Sequence, residues 1–202
     1  MRTAKLERKS NETQIKIDLN IDGQGKTAIK TPIGILSHML DLFSFHGLFD
    51  LQLDVKGDTH IDLHHTSEDI GIVLGKAFKQ ALGEKEGIKR FGSGFAPMED
   101  VLGHTVIDLS GRGHHLITVG GTQPIDNEDG YTFTHFEHFI ESFAKQLGAH
   151  IHIHITNNPK SMADLHTILE TAFKSLGLAL DQATQIDPRR GGKVPSTKGI
   201  ID

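Results

Sequence analysis

From Thr13 to Ile21 apolar and polar residues alternate, with Ile15, Ile17, Leu19 and Ile21 on one side of an extended chain, which predicts a half-buried strand. Asp22-Gly23-Gln24-Gly25 predicts a hairpin turn into a second strand, Lys26 to Lys30, which Thr31-Pro32-Ile33-Gly34 breaks. The period then lengthens. Leu36, Met39, Leu40 and Phe43 share one face of a helix expected over His38 to Phe45, with Gly47 as its C-cap. Phe49, Leu51, Leu53 and Val55 mark the next strand, Lys56-Gly57-Asp58 turns it, and His60 to Leu63 reads as a further strand. A long helix follows over Thr66 to Leu82, with Ile70, Val73, Leu74, Ala77, Phe78 and Leu82 as its apolar stripe and Gly83 ending it.

Residues 87–100 carry neither period and are expected to be an irregular, Gly-rich connection. Strands are expected over Leu102 to Leu109 and His115 to Val119, joined by the turn Ser110-Gly111-Arg112-Gly113, and a polar loop over Gly120 to Gly130. A helix over His135 to Gln146, a strand over Ala149 to Ile155 and a helix over Asp164 to Ala183 precede a loop-like tail, Asp187 to Asp202.

The second series repeats the first. His38-Met39-Leu40-Asp41-Leu42-Phe43 falls on His138-Phe139-Ile140-Glu141-Ser142-Phe143 at an offset of 100, as do the strands after them. From His64 onward the offset is 102, carrying Glu68 onto Glu170 and Leu74-Gly75 onto Leu176-Gly177. One domain of 202 residues, built from halves of about 1–90 and 91–202, accounts for this. Burying one face per strand and one stripe per helix predicts an α+β fold, helices packed against antiparallel sheets.

Composition narrows the chemistry. There is no cysteine, which excludes disulfides, thiolate metal sites and a cysteine nucleophile. The net charge of −5 argues against general nucleic-acid binding. No apolar run approaches the roughly 18 residues that span a bilayer, and Met1 to Asn20 is charged and strand-like, so no membrane association and a cytoplasmic location are expected.

The 14 histidines are the unusual feature. Residues four apart share a helix face, so His64 with Glu68, and His166 with Glu170, can each hold one ion. His65 points about 100° away from His64 and would serve a different ion. A lone His-x-x-x-Glu is usually a solvated helix face, but recurrence at matched positions of a repeat favours metal. His38 and His138, equivalent in the two halves, join the set. Imidazole and carboxylate donors without sulfur suit Mn, Zn, Fe or Co. His46, His60, His104 and His135 lack partners and read as structural or surface residues, and His114 and His115 as a strand end. His150, His152 and His154 alternate with core isoleucines and read as a solvated or subunit-contact stripe. Arg90 and Arg112 beside glycines, with the basic tail from Arg189 to Lys198, have the forks and hydroxyls that bind a phosphate dianion, although a basic tail alone is usually solvated.

Taken together, His64-His65-Thr66-Ser67-Glu68-Asp69, Ser110-Gly111-Arg112, Glu137-His138-Phe139, Asp187-Pro188-Arg189-Arg190-Gly191-Gly192 and Pro195-Ser196-Thr197-Lys198-Gly199 resemble the imidazoleglycerol-phosphate dehydratase family, nearly from end to end. The resemblance implies helices sandwiched between sheets, two manganese ions per active site, and a 24-subunit homo-oligomeric shell with sites between subunits. It implies metal ligands at His38, His64, His65, Glu68, His138, His166 and Glu170, and a phosphate grip at Arg90, Arg112, Ser196 and Lys198. Glu12 matches the family's N-terminal glutamate.

The implied reaction is the dehydration of imidazole glycerol phosphate to imidazole acetol phosphate in histidine biosynthesis. The proton lost from carbon lies next to no carbonyl, so no ordinary enolate forms, and metal ions at the ring nitrogens make the ring the electron source. Glu12, Glu68 and Glu170 are the general acid/base candidates. The family's second motif has two adjacent histidines where this chain has His166-Thr167. By repeat symmetry one ion takes His38, His65, His166 and Glu170, while the other keeps His64, Glu68 and His138 and lacks a fourth ligand, which predicts weaker metal affinity there. Two alternatives are a dinuclear hydrolase of a phosphorylated substrate and a catalytically weakened or inactive relative that keeps the fold and part of the metal site.

Overall fold

The computed structural model describes residues 1–120, 127–158 and 163–201. The first half comprises β1 (Thr3–Lys9), β2 (Thr13–Asn20), β3 (Thr27–Lys30), α1 (Gly34–His46), β4 (Asp50–Gly57) and α2 (Leu63–Leu82). The second comprises β5 (Phe91–Met98), β6 (Val101–Asp108), β7 (His114–Gly120), α3 (Phe133–Leu147), β8 (His150–Asn157) and α4 (Leu165–Thr184), followed by a 3-10 turn, Pro188–Arg190. The sheets have orders β1-β2-β4-β3 and β5-β6-β8-β7, the same order in both halves, so the duplicated α+β arrangement holds.

In each sheet one edge strand is parallel to its neighbour: β3 to β4, and β7 to β8. The other pairs are antiparallel. Each parallel pair is joined through a helix, α1 or α3, as a parallel connection requires. Asp22–Gly25 is therefore not a hairpin turn. The chain there crosses the start of β4, where Asp50 Oδ1 accepts from the Gln24 and Lys26 amides at 2.8 and 3.0 Å, and β3 then joins the far side of β4.

Two strands carry no clean alternation in the sequence. In β5, Gly92 and Gly94 hold inward positions because α4 lies against them: a Cβ at Gly92 would stand 2.0 Å from the Ala179 carbonyl, and one at Gly94 2.4 Å from that of Ser175. In β1 the inward positions are Ala4, the half-buried Leu6 and Arg8, whose guanidinium pairs with the buried Asp69. His60 to Leu63 is not a strand; Asp62 accepts from the His64 amide at 3.0 Å and caps α2, which begins at Leu63. Helices α1 and α3 also start earlier than expected, so His38 and His138 sit in their second turns. Of the expected polar loop, residues 121–126 lie outside the described residues.

Helix α2 packs on β1 and β2 and α4 on β5 and β6, while the pairs α2–α3 and α1–α4 cross from one half to the other. The apolar faces of both sheets and all four helices meet in one core, whose fully buried aromatics include Phe43, Phe78, Phe143 and Phe173. The crossings repeat each other. A Cβ at Gly75 of α2 would lie 2.6 Å from the Phe143 carbonyl of α3, and one at Gly177 of α4 2.4 Å from the Phe43 carbonyl of α1. The matched glycines of the two halves thus mark the closest approach of matched helices. Among the described residues no helix is long and apolar enough to cross a membrane.

Candidate active site

The same crossings bring the histidines together. His166 and Glu170 lie one turn apart at the start of α4, where Asp164 accepts from the Thr167 amide at 2.7 Å and caps the helix. Across the crossing, His38 of α1 meets them: its Nε2 lies 3.0 Å from Glu170 Oε1, which His166 Nε2 approaches to 3.3 Å. The two imidazoles stack with centroids 5.4 Å apart. The three donor atoms all fall within 4.8 Å of one another.

Lys174, one further turn along α4, donates to Glu170 Oε2 at 2.5 Å. Burial pushes the Glu170 carboxyl up, but the Lys174 ammonium with the His38 and His166 contacts outweighs it and holds the group at about 2. The carboxylate is therefore ionised at any ordinary pH. An ionised carboxylate and two imidazoles converging from three sides form a donor set that fits a divalent cation.

The matched trio in the other crossing is arranged differently. His64 turns its Nδ1 to His138 Nδ1 at 2.8 Å and its Nε2 to Glu68 Oε2 at 3.4 Å. The rings stand almost perpendicular, with centroids 4.5 Å apart. Only the contact between the two imidazoles is a hydrogen bond, and it occupies the His64 and His138 Nδ1 atoms with each other, so the trio does not converge as a chelating tripod.

His65 joins neither trio in this chain. Its Nδ1 lies 3.4 Å from Asp58 Oδ2. The contact with Asp58, helped by the charge of Glu12, raises its pKa above the usual imidazole value. Glu12 occupies the turn between β1 and β2, where its carbonyl accepts from the Asp58 amide at 3.1 Å. The other oxygen of Asp58, Oδ1, is buried without a hydrogen-bond partner among the described residues. Thr167 is buried beside the capping Asp164.

The basic residues gather elsewhere. Arg90 adopts φ +75°, forks onto Asp108 at 2.6 and 3.1 Å, and donates from Nη1 to the Pro195 carbonyl at 3.0 Å, tying the tail to the second sheet. Arg90, Arg112, Ser196 and Lys198 line one cavity of about 160 Å³, beside a wider one of about 530 Å³ that adds Arg189, Arg190 and Lys193. Neither cavity is lined by any of the histidines. Sequence reasoning missed Lys174 and Asp58. The signal for Lys174 was its place four residues after Glu170 on one helix; Asp58 had none, because its role comes from the fold.

Comparison with known proteins gives one family. The family model described as imidazoleglycerol-phosphate dehydratase matches residues 31–180. The imidazoleglycerol-phosphate dehydratase of Geobacillus kaustophilus is 46% identical over 202 residues, covering 99% of each chain. That of Pelobacter propionicus is 46% identical over 200 residues, again with 99% of each covered. A crystal structure of the Pyrococcus furiosus protein in complex with (S)-C348 superposes with a TM-score of 0.79 at 35% identity, covering 96% of this chain and 99% of that one. The Staphylococcus aureus structure gives 0.77 at 27% identity, covering 92% and 99%.

Proposed function

The chain belongs to the imidazoleglycerol-phosphate dehydratase family of hydro-lyases, and from that premise we propose how its own residues bind the substrate and carry out the dehydration. His38, His166 and Glu170 hold one divalent ion, and His64, Glu68 and His138 hold a second once His138 turns out of its hydrogen bond to His64. Manganese is the ion of this reading. Bound there, the metal supplies Lewis acidity at the nitrogens of the substrate's imidazole ring.

The chain's own groups do the rest. Arg90, Arg112, Ser196 and Lys198 grip the phosphate and fix where the glycerol carbons lie. Arg90 spends part of its fork on Asp108, so Arg112 and Lys198 carry more of the phosphate charge. Glu170, held at about 2 and paired with Lys174, is too weak a base to take a proton from carbon and serves as a ligand. Glu12, exposed, and Glu68, half-buried, are the groups left to move protons at their carboxylate oxygens, one taking the carbon-bound proton and one assisting the departing hydroxyl.

Because the phosphate cradle and the histidine trios share no wall in one chain, the complete site forms between copies. His65, unengaged by either trio, supplies a ligand across that boundary. A homo-oligomer is therefore required for activity, and the 24-subunit shell implied by the family resemblance provides it. Thr167, the repeat counterpart of His65, leaves the His64 trio one ligand short and its ion more weakly held.

The convergence of His38, His166 and Glu170 within 4.8 Å carries this reading. The decisive assay supplies imidazole glycerol phosphate and Mn²⁺ and follows the product. Formation of imidazole acetol phosphate without release of inorganic phosphate, lost in Glu170→Gln, is expected. Phosphate release, or full activity in Glu170→Gln, would overturn it.

A further inference from the structure

The outward face of the second sheet carries five histidines that the catalytic reading does not use: His104 on β6, His114 on β7, and His150, His152 and His154 on β8. They face away from the helices, since Ile151, Ile153 and Ile155 between them are buried in the core. Register stacks them across strands. His104 is the partner of His154, and His114 the partner of His150. His114 lies beside two of the others. The His114 ring lies 5.7 Å from that of His150 and 6.1 Å from that of His152, centroid to centroid. His154 is separately engaged, its Nδ1 2.6 Å from the Thr118 hydroxyl. His104 stacks flat on Phe95 with centroids 3.9 Å apart.

We propose that His114, His150 and His152 form a second, all-imidazole metal site, taking a nitrogen-preferring divalent ion such as Zn²⁺ and leaving a fourth position open to water. A zinc–nitrogen bond of about 2.0–2.1 Å, with about 1.1 Å more to the ring centre, places tetrahedrally bound imidazoles about 5.2 Å apart. The His114 ring therefore stands within about 1 Å of that spacing from each of the other two, and His150 and His152, two residues apart on one strand face, must turn toward each other by side-chain rotation. Ligation needs neutral imidazole. The one carboxylate among the described residues of this face is Asp108, across from His150, and Arg90 already forks it. Without oxygen donors the group ranks zinc, nickel and copper above manganese, an ion suited to carboxylate and water ligands.

Counting bound Zn²⁺ by equilibrium dialysis of the full-length protein and of His114→Asn, His152→Asn and His104→Asn tests this site. The parent and His104→Asn should hold one more tightly bound zinc per chain than His114→Asn and His152→Asn. In those two, affinity for that ion should fall by at least the roughly ten- to hundredfold seen when groups behind the ligands are changed. Dehydratase activity with Mn²⁺ should be unchanged in all three, which separates loss of this site from failure of the catalytic one. If His152→Asn does not fold, the edge-strand variant His114→Asn decides alone. Equal zinc counts in the parent and His114→Asn, or an equal loss in His104→Asn, would overturn the assignment.

Discussion

Gly177→Ala perturbs the α1–α4 crossing and, through it, one ligand trio. The added methyl would lie 2.4 Å from the Phe43 carbonyl oxygen and 3.2 Å from the Gly47 amide nitrogen, both backbone atoms that no rotamer change can move. Ordinary contact begins at 3.4 Å, so the helices must part by about 1 Å. Overpacking of this kind costs about 1–3 kcal/mol. Replacing glycine in a helix interior returns about 1 kcal/mol. The net loss expected in urea denaturation is therefore about 0–2 kcal/mol. Metal ligation tolerates errors of only about 0.2 Å, and His38 sits on one of the parted helices while His166 and Glu170 sit on the other. Mn²⁺ titration should then show the His38 trio weakened and the His64 trio unchanged. Gly75→Ala, whose methyl would meet the Phe143 carbonyl at 2.6 Å, should give the mirror result. A Gly177→Ala protein as stable as the parent, binding Mn²⁺ as tightly, would refute the idea that the crossing sets ligand spacing.

Asp69 is buried and accepts from Arg8 and, at 2.5 Å, from the Thr13 hydroxyl. Asp69→Ala should cost about 2–3 kcal/mol in denaturant unfolding, less than a fully buried pair because Arg8 is one-third exposed; a loss under about 1 kcal/mol would mean the pair is not structural. Arg112→Ala should raise KM at least about tenfold with a smaller change in kcat, as removal of uniform binding does, and weaken competitive inhibition by inorganic phosphate in parallel. An unchanged KM would remove Arg112 from the phosphate grip. Thr167→His should tighten the weaker of two Mn²⁺ binding steps in a calorimetric titration, and a parent with two equally tight ions would contradict the missing ligand.

Much of this was legible in the sequence because duplication supplies its own control. The offsets of 100 and 102 matched His38 with His138 and Gly75 with Gly177, and the structure gives each pair equivalent positions. Helix spacing paired His166 with Glu170 without further help. What the sequence hid lies where one residue type serves another element's needs. Strand β5 lacks alternation because α4 requires glycine beneath it, and β1 spends an inward position on Arg8 to reach Asp69. Sheet order was equally hidden: β3 follows a turn that resembles a hairpin, yet the bonds from Asp50 to Gln24 and Lys26 send it past β4. The convergence of His38 with a helix more than a hundred residues away is a tertiary fact that repeat symmetry suggested and only packing delivers. The hydrogen-bonded, non-chelating form of the His64 trio had no sequence signal at all.

Anomalous diffraction at the manganese edge, from crystals grown with Mn²⁺ and an imidazole-bearing phosphate, tests the central claim most directly. A strong peak bound by His38, His166 and Glu170, with His65 of a neighbouring copy completing the shell, and a weaker peak at His64, Glu68 and His138 are the expected result. Crystals in which those side chains surround no manganese, while the ligand's ring sits elsewhere, would contradict it.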